Sequence, residues 1–237
     1  MTTKHFLNLR DLSNQDILNI LDRAIERKSQ KQKEKTLAGL KLGLIFEKPS
    51  TRTRISFESG VLNLGGNAIF MSSTDLQLSR GEPVSDTAKV ASSMLDVIAL
   101  RVDKHETLEM FASNSSVPVI NALSDLSHPC QILADLMTFK ENSANELEKV
   151  CWIGDGNNVC NSYVEASKIL DFELSIYCPK EYSPDPSFLN YAKENSSFAN
   201  SREEAAKGAD IITTDVWVSM GDEKTKERAF QGYFVDT

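Results

Sequence analysis

From Phe46 to Glu58 the chain reads FEKPSTRTRISFE, with Arg52 and Arg54 set among hydroxyl residues where an apolar run gives way to a helical pattern. A helix starting at Thr51, with Ser50 placed to cap it, points unpaired N–H groups and a positive dipole end into the preceding turn. Phosphate-like anions suit such a place. Ser50, Thr51 and Thr53 add hydroxyl or amide donors, and the planar fork of Arg52 matches two phosphate oxygens. Each arginine also has a plainer explanation. Arg54 lies four residues before Glu58 and fits an i,i+4 ion pair, while Arg52 fits a solvent-facing helix charge.

A second group follows in SHPCQILADLMT, Ser127 to Thr138. Pro129 disfavours helix at His128 and is well suited to the first helical position, so a helix starts here with His128 at its N-terminus. The positive helix end disfavours imidazolium, and a neutral His128 can donate an N–H to a carbonyl oxygen. Gln131, three residues on, shares that face and can hold an amide-like NH₂. Cys130 between them reads as structural, and taken alone the His-Pro turn fits a packed loop histidine. Arg101 ends the apolar run DVIALR and Asp215 follows DIITT, both at carboxyl ends of strands, where open α/β sheets place ligands. Their plainer readings are a strand-end charge and a turn former. GDGNNVCNS, Gly154 to Ser162, invites a dinucleotide reading, but Val159 stands where the third glycine belongs.

These groups need a scaffold, and the hydrophobic pattern supplies one. Ser13 precedes NQDILNILDRAIERK, a helix with Asp16 at the reciprocal position of a capping box. Strands are expected near 41–46, 67–71, 96–101 and 117–120, and helices near 51–64, 84–94, 104–113 and 130–141. The alternation predicts βαβ units around a mostly parallel sheet. After the polar stretch KENSANELEK the pattern resumes, with strands near 149–153, 173–177 and 210–214 and helices near 158–170, 187–195 and 202–207. The fold class is therefore α/β, with two open, mostly parallel sheets in domains 1–143 and 144–237. The second sheet reads as unfinished at the C-terminus.

The chain has 237 residues, 41% hydrophobic and 25% charged, and carries 26 Lys+Arg against 34 Asp+Glu. A net charge of −8 argues against surface-wide attraction to nucleic acid or anionic lipid, so an anion site must be local. The four cysteines form no CxxC pair, the start MTTKHFLNLR lacks a signal-like apolar core, and no apolar run reaches membrane-span length. A cytoplasmic protein with reduced thiols is expected, with no membrane or nucleic-acid partner.

FEKPSTRTRISFE, SHPCQILADLMT and DVWVSMGDE (Asp215 to Glu223) together resemble the signatures of the carbamoyltransferases, the ornithine members in particular, in matching order and spacing along the whole chain. The resemblance implies transfer of a carbamoyl group from carbamoyl phosphate to the δ-amine of L-ornithine, without metal or organic cofactor. It implies a homotrimer with sites between domains and at subunit interfaces. Carbamoyl phosphate would meet Ser50, Thr51, Arg52, Thr53, Arg54, Arg101, His128 and Gln131, and Gln77 of a neighbouring subunit. Ornithine would meet Asn158, with Asn157 nearby, Asp215 and the Ser219–Met220 backbone in a closing loop hinged at Gly221. The family also continues beyond this C-terminus, through a His-Cys-Leu-Pro segment, a later arginine and a final helix, so the chain reads as truncated. Aspartate, putrescine or N-acetylornithine as acceptor, or a non-catalytic carbamoyl phosphate-binding subunit, stand as alternatives.

Overall fold

The computed structural model of the chain describes residues 3–30, 34–72, 76, 81–217 and 224–235. Two compact units form, one from Met1–Leu12 and Leu18–Cys130, the other from Ser13–Ile17 and Gln131–Thr237. Helix α1 (Asn14–Ser29) opens with the expected reciprocal cap. Ser13 N donates to Asp16 Oδ2, and Asp16 N donates to Ser13 Oγ, each at 3.1 Å.

The first unit holds β1 (Lys41–Phe46), α2 (Thr51–Asn63), β2 (Asn67–Ser72), α3 (Val84–Met94), β3 (Val97–Arg101), α4 (His105–Asn114) and β4 (Val119–Leu123). All strands are parallel, in the order β2-β1-β3-β4. Every residue of β1 after Lys41 is buried, because a central strand packed on both faces needs a continuous apolar run. Leu42, Leu44 and Phe46 join Ala99 and Ala122 in one cluster. Ile45, Ile98, Leu100, Leu108 and Phe111 join a second. From β1 the chain runs outward to β2 and then returns to β3 on the other side. The carboxyl ends of β1 and β3 therefore flank a topological switch point, where open α/β sheets bind ligands.

Strand β4 begins and ends later than the expected 117–120. Pro118 has no N–H to give a ladder, and the polar Asn121 is accommodated inside the strand by long-range bonds. Its backbone N donates to Phe6 O at 2.8 Å and its side-chain Nδ2 to Leu7 O at 2.9 Å. This N-terminal segment lies along the β4 edge, with Phe6 bridging Ile120.

Helix α5 (Pro129–Asn142) leads to β5 (Lys149–Ile153), α6 (Asn158–Leu170), β6 (Glu173–Tyr177), α7 (Pro186–Tyr191), β7 (Ser196–Phe198), α8 (Arg202–Ala206) and β8 (Ile211–Thr213). The second sheet is also parallel, in the order β7-β6-β5-β8, so its switch point lies between β5 and β8. Helix α7 stops at Tyr191, short of the expected 195, because the chain must turn into β7. Asn195 O there accepts from Leu174 N at 2.7 Å. Among the described residues, no helix is long and apolar enough to cross a membrane.

Candidate active site

The turn from β1 to α2 is tied to the end of β3. Glu47 N donates to Arg101 O at 2.8 Å, Glu47 Oε2 accepts from Asp103 N at 2.6 Å, and Lys48 Nζ pairs with Asp103 Oδ1 at 2.9 Å. These ties hold the start of α2 at the switch point. Ser50 has the extended backbone of an N-cap, but its side chain makes no capping hydrogen bond, which corrects the expectation that it caps α2. No acidic residue lies in the first turn either. The positive end of α2 is thus uncompensated by its own first turn, the condition that favours an external anion.

The two arginines of this helix differ. Arg54 Nε bonds Glu58 Oε1 at 2.9 Å, and its Cζ lies 3.5 Å from the centroid of the Phe70 ring. The plain i,i+4 reading therefore describes Arg54. Arg52 is exposed and makes no ion pair among the described residues.

Arg101 carries the other cation of this edge. Its Nε is buried without a hydrogen-bond partner among the described residues. Burial pulls its pKa below the ordinary value, with Asp103 opposing. His128 is held at about 4, chiefly by burial and secondarily by the Arg101 charge. It is neutral, as its sequence position implies, but burial rather than the helix end is the leading cause. Cys130 is structural: its thiol donates to Asn121 O at 3.4 Å, and burial pushes its pKa up to about 12.

The loop that presents His128 is built from residues that sequence reading passed over. His105 Nδ1 and Ser124 Oγ are 2.7 Å apart, Ser124 N donates to Ser127 O at 3.0 Å, and Asn121 Nδ2 donates to Ser127 Oγ at 2.9 Å. His105, Asn121, Ser124 and Ser127 are all buried, so the loop entering α5 is fixed by a polar network without solvent competition. No helical or strand periodicity marks these residues, because the bonds lie within an irregular loop and tie it to β4 and to His105 of α4. Gln131 is more legible: its Nε2 donates to Asp135 Oδ1 at 2.9 Å, an i,i+4 pair.

In the second unit, Asn157 caps α6, its Oδ1 accepting from Val159 N at 3.0 Å and Cys160 N at 3.2 Å. Its Nδ2 donates to Asp215 Oδ2 at 2.9 Å, joining the ends of β5 and β8 across the switch point. Asp215 Oδ1 accepts from Val216 N at 2.8 Å, the backbone N–H of the next residue. Asn158 is the first residue of α6 beside this pair. The glycines of the GDG stretch have local reasons. Gly154 has φ +127, and a Cβ on Gly156 would strike the Pro184 nitrogen and the Tyr182 carbonyl oxygen. Between them, Asp155 Oδ2 bonds Lys226 Nζ at 2.6 Å.

The structure thus gathers Ser50, Thr51, Arg52, Thr53, Arg101 and His128 on the carboxyl edge of one sheet, and Asn157, Asn158 and Asp215 on that of the other. Gln77, Ser219, Met220 and Gly221 lie outside the described residues.

Residues 4–141 match the family model described as the aspartate/ornithine carbamoyltransferase carbamoyl-P binding domain, and residues 147–237 the Asp/Orn binding domain of the same family. An ornithine carbamoyltransferase of Acinetobacter baylyi is 51% identical over 243 aligned positions, covering 100% of this chain and 79% of that protein. The crystal structure of the anabolic ornithine carbamoyltransferase from Campylobacter jejuni superposes with a TM-score of 0.93 at 46% identity, over 99% of this chain and 80% of that one. The ornithine carbamoyltransferase of Pyrococcus furiosus gives 0.91 at 39% identity, over 99% and 79%. With both family models matched in order along nearly its whole length, the chain belongs to the aspartate/ornithine carbamoyltransferase family.

Proposed function

We propose that this chain transfers the carbamoyl group of carbamoyl phosphate to the δ-amine of L-ornithine, giving L-citrulline and phosphate. The names of its relatives support the reading at about half identity over the whole chain. The observation that carries it is the first sheet's edge. There the start of α2 lacks a side-chain cap and first-turn acid, and Arg101, whose buried Nε has no hydrogen-bond partner among the described residues, acts electrostatically on a neutral His128.

In this reading residues 1–143 bind carbamoyl phosphate and residues 144–237 bind ornithine. Ser50, Thr51, Arg52 and Thr53 receive the phosphate, with Arg54 supporting α2 through Glu58. The neutral δ-amine attacks the carbonyl carbon, and an N–H of His128 and the Arg101 guanidinium stabilise the developing oxyanion. Gln131 accepts from the carbamoyl NH₂. The carbon–oxygen bond to phosphate then breaks, phosphate leaves with the electron pair, and the proton lost by the attacking nitrogen departs with it. Positioning and electrostatics supply the rate.

Ornithine fits the second edge by charge. Its α-ammonium pairs with Asp215, which Asn157 orients, while Asn158 and the Ser219–Met220 backbone meet the amino-acid end. Aspartate would bring an additional carboxylate toward Asp215. The active form is a cytoplasmic homotrimer in which Gln77 of a neighbouring subunit completes the phosphate site. Ile55 and Leu62 support an assembly: they are seven residues apart on α2 and more than half exposed. The cysteines are all free thiols, in keeping with a reducing compartment.

Substituting Asp215 tests the acceptor assignment. Asp215→Asn should raise the ornithine concentration needed for half-maximal citrulline formation by a factor equivalent to about 2–4 kcal/mol. Carbamoyl phosphate affinity, titrated separately, should change little. An unchanged ornithine dependence would reject Asp215 as the ammonium partner.

A further inference from the structure

We infer that Asp135, held in turn by Tyr163, is a positioning residue that makes Gln131 select a carbamoyl group over acetyl or carboxyl groups of the same shape. The inference rests on the proposed role of Gln131 and assigns the origin of its selectivity. A glutamine side chain ends in two groups of similar size and opposite hydrogen-bonding sense, so an unrestrained Gln131 could present either. Asp135 removes the choice. Its Oδ1 accepts from Gln131 Nε2 and its Oδ2 from the Tyr163 hydroxyl, both at 2.9 Å. A carboxylate can only accept, so the amide NH₂ must face Asp135, and Oε1 is the end left for a ligand.

The rest of the chain makes that arrangement stiff. Tyr163 is fully buried on α6, with its ring 5.8 Å from that of Trp152, and burial raises its hydroxyl pKa far above the ordinary value, so it remains a proton donor. Its hydroxyl also engages Thr213 at the end of β8. Burial raises the pKa of Asp135, the bonds from Gln131 and Tyr163 oppose the rise, and Asp215 adds to it. Gln131 itself is exposed in the first turn of α5, so Oε1 is reachable. An oxygen so fixed accepts from an NH₂, gains nothing from a methyl group and repels a carboxylate oxygen. Sites built to hydrogen-bond an N–H reject analogues that lack it.

Calorimetric titration of this chain with two phosphonates tests the inference. Phosphonoacetamide carries the carbamoyl NH₂, and 2-oxopropylphosphonate carries a methyl group in its place. The unsubstituted chain should prefer the amide by about tenfold, the worth of one hydrogen bond. Asp135→Ala should reduce the preference to that of Gln131→Ala, and the double substitution should reduce it no further. Tyr163→Phe should give an intermediate ratio. A wild-type ratio in Asp135→Ala, or equal weakening of both ligands, would overturn the inference. If circular dichroism shows that Asp135→Ala does not fold, Asp135→Asn decides: its amide can turn either end to Gln131, so an undiminished preference would overturn the inference. Equal binding of both ligands by the unsubstituted chain would also overturn it, whereas no binding of phosphonoacetamide at all would defeat the functional reading beneath it.

Discussion

At the residue scale, the account depends on what each charged or titratable group is already doing. Arg54 is engaged by Glu58, as its i,i+4 spacing implies, and by Phe70, whereas Arg52 makes no ion pair among the described residues. Arg52→Ala should therefore weaken carbamoyl phosphate binding by about 2 kcal/mol or more, some thirtyfold in Kd, and Arg54→Ala by much less. Calorimetry would check this, and equal affinities for Arg52→Ala and the unsubstituted chain would reject the phosphate cradle. His128 carries a second expectation. Its pKa near 4, against an ordinary 6.5, means that the unfolded chain takes up this proton first as pH falls. The stability contributed by a neutral His128 is thus present above pH 6.5 and is lost as pH falls toward about 4. Imidazole resonances followed by NMR should show His128 titrating near 4, and a midpoint at or above 6.5 would contradict its burial beside Arg101.

At the element scale, strands buried on both faces were legible because they leave continuous apolar runs, as in KLGLIF and KVCWI. The same periodicity placed α2, α3 and α6 and the Ser13–Asp16 cap. Strand β7 was not legible, being three residues, SSF, at a sheet edge with two of them exposed. The late start of β4 and the loop before His128 were hidden because Asn121, Ser124 and Ser127 bond to Leu7, His105 and each other. Candidate residues were found where chemistry crowds into a short stretch, as around Arg52 and His128. Asp135, His105 and Tyr163 were missed because each acts through a partner. Helix α2 carries the prediction at this scale. If its Ile55 and Leu62 face a second subunit, the chain should sediment as a trimer and Leu62→Glu should shift it toward monomer. A monomeric unsubstituted chain would contradict the assembly.

At the scale of the whole molecule, the same design occurs twice: a four-stranded parallel sheet whose order reverses beside its longest-buried strand, with the candidate residues on the carboxyl edge. The two edges differ in charge. One offers Arg52, Arg101 and a helix start to an anion, and the other offers Asp215, oriented by Asn157, to a cation. The proposed function draws on that contrast, with a phosphorylated donor at the first unit and an amino-acid acceptor carrying a free ammonium at the second. An acceptor panel tests it most directly, with carbamoyl phosphate held constant and ornithine, putrescine, N-acetylornithine and aspartate compared for carbamoylated product. Of the four, ornithine alone combines a nucleophilic δ-amine with both an α-ammonium, the group proposed to pair with Asp215, and an α-carboxylate. The account predicts the highest kcat/KM for ornithine, with citrulline as the product. A preference for aspartate, N-acetylornithine or putrescine would contradict it.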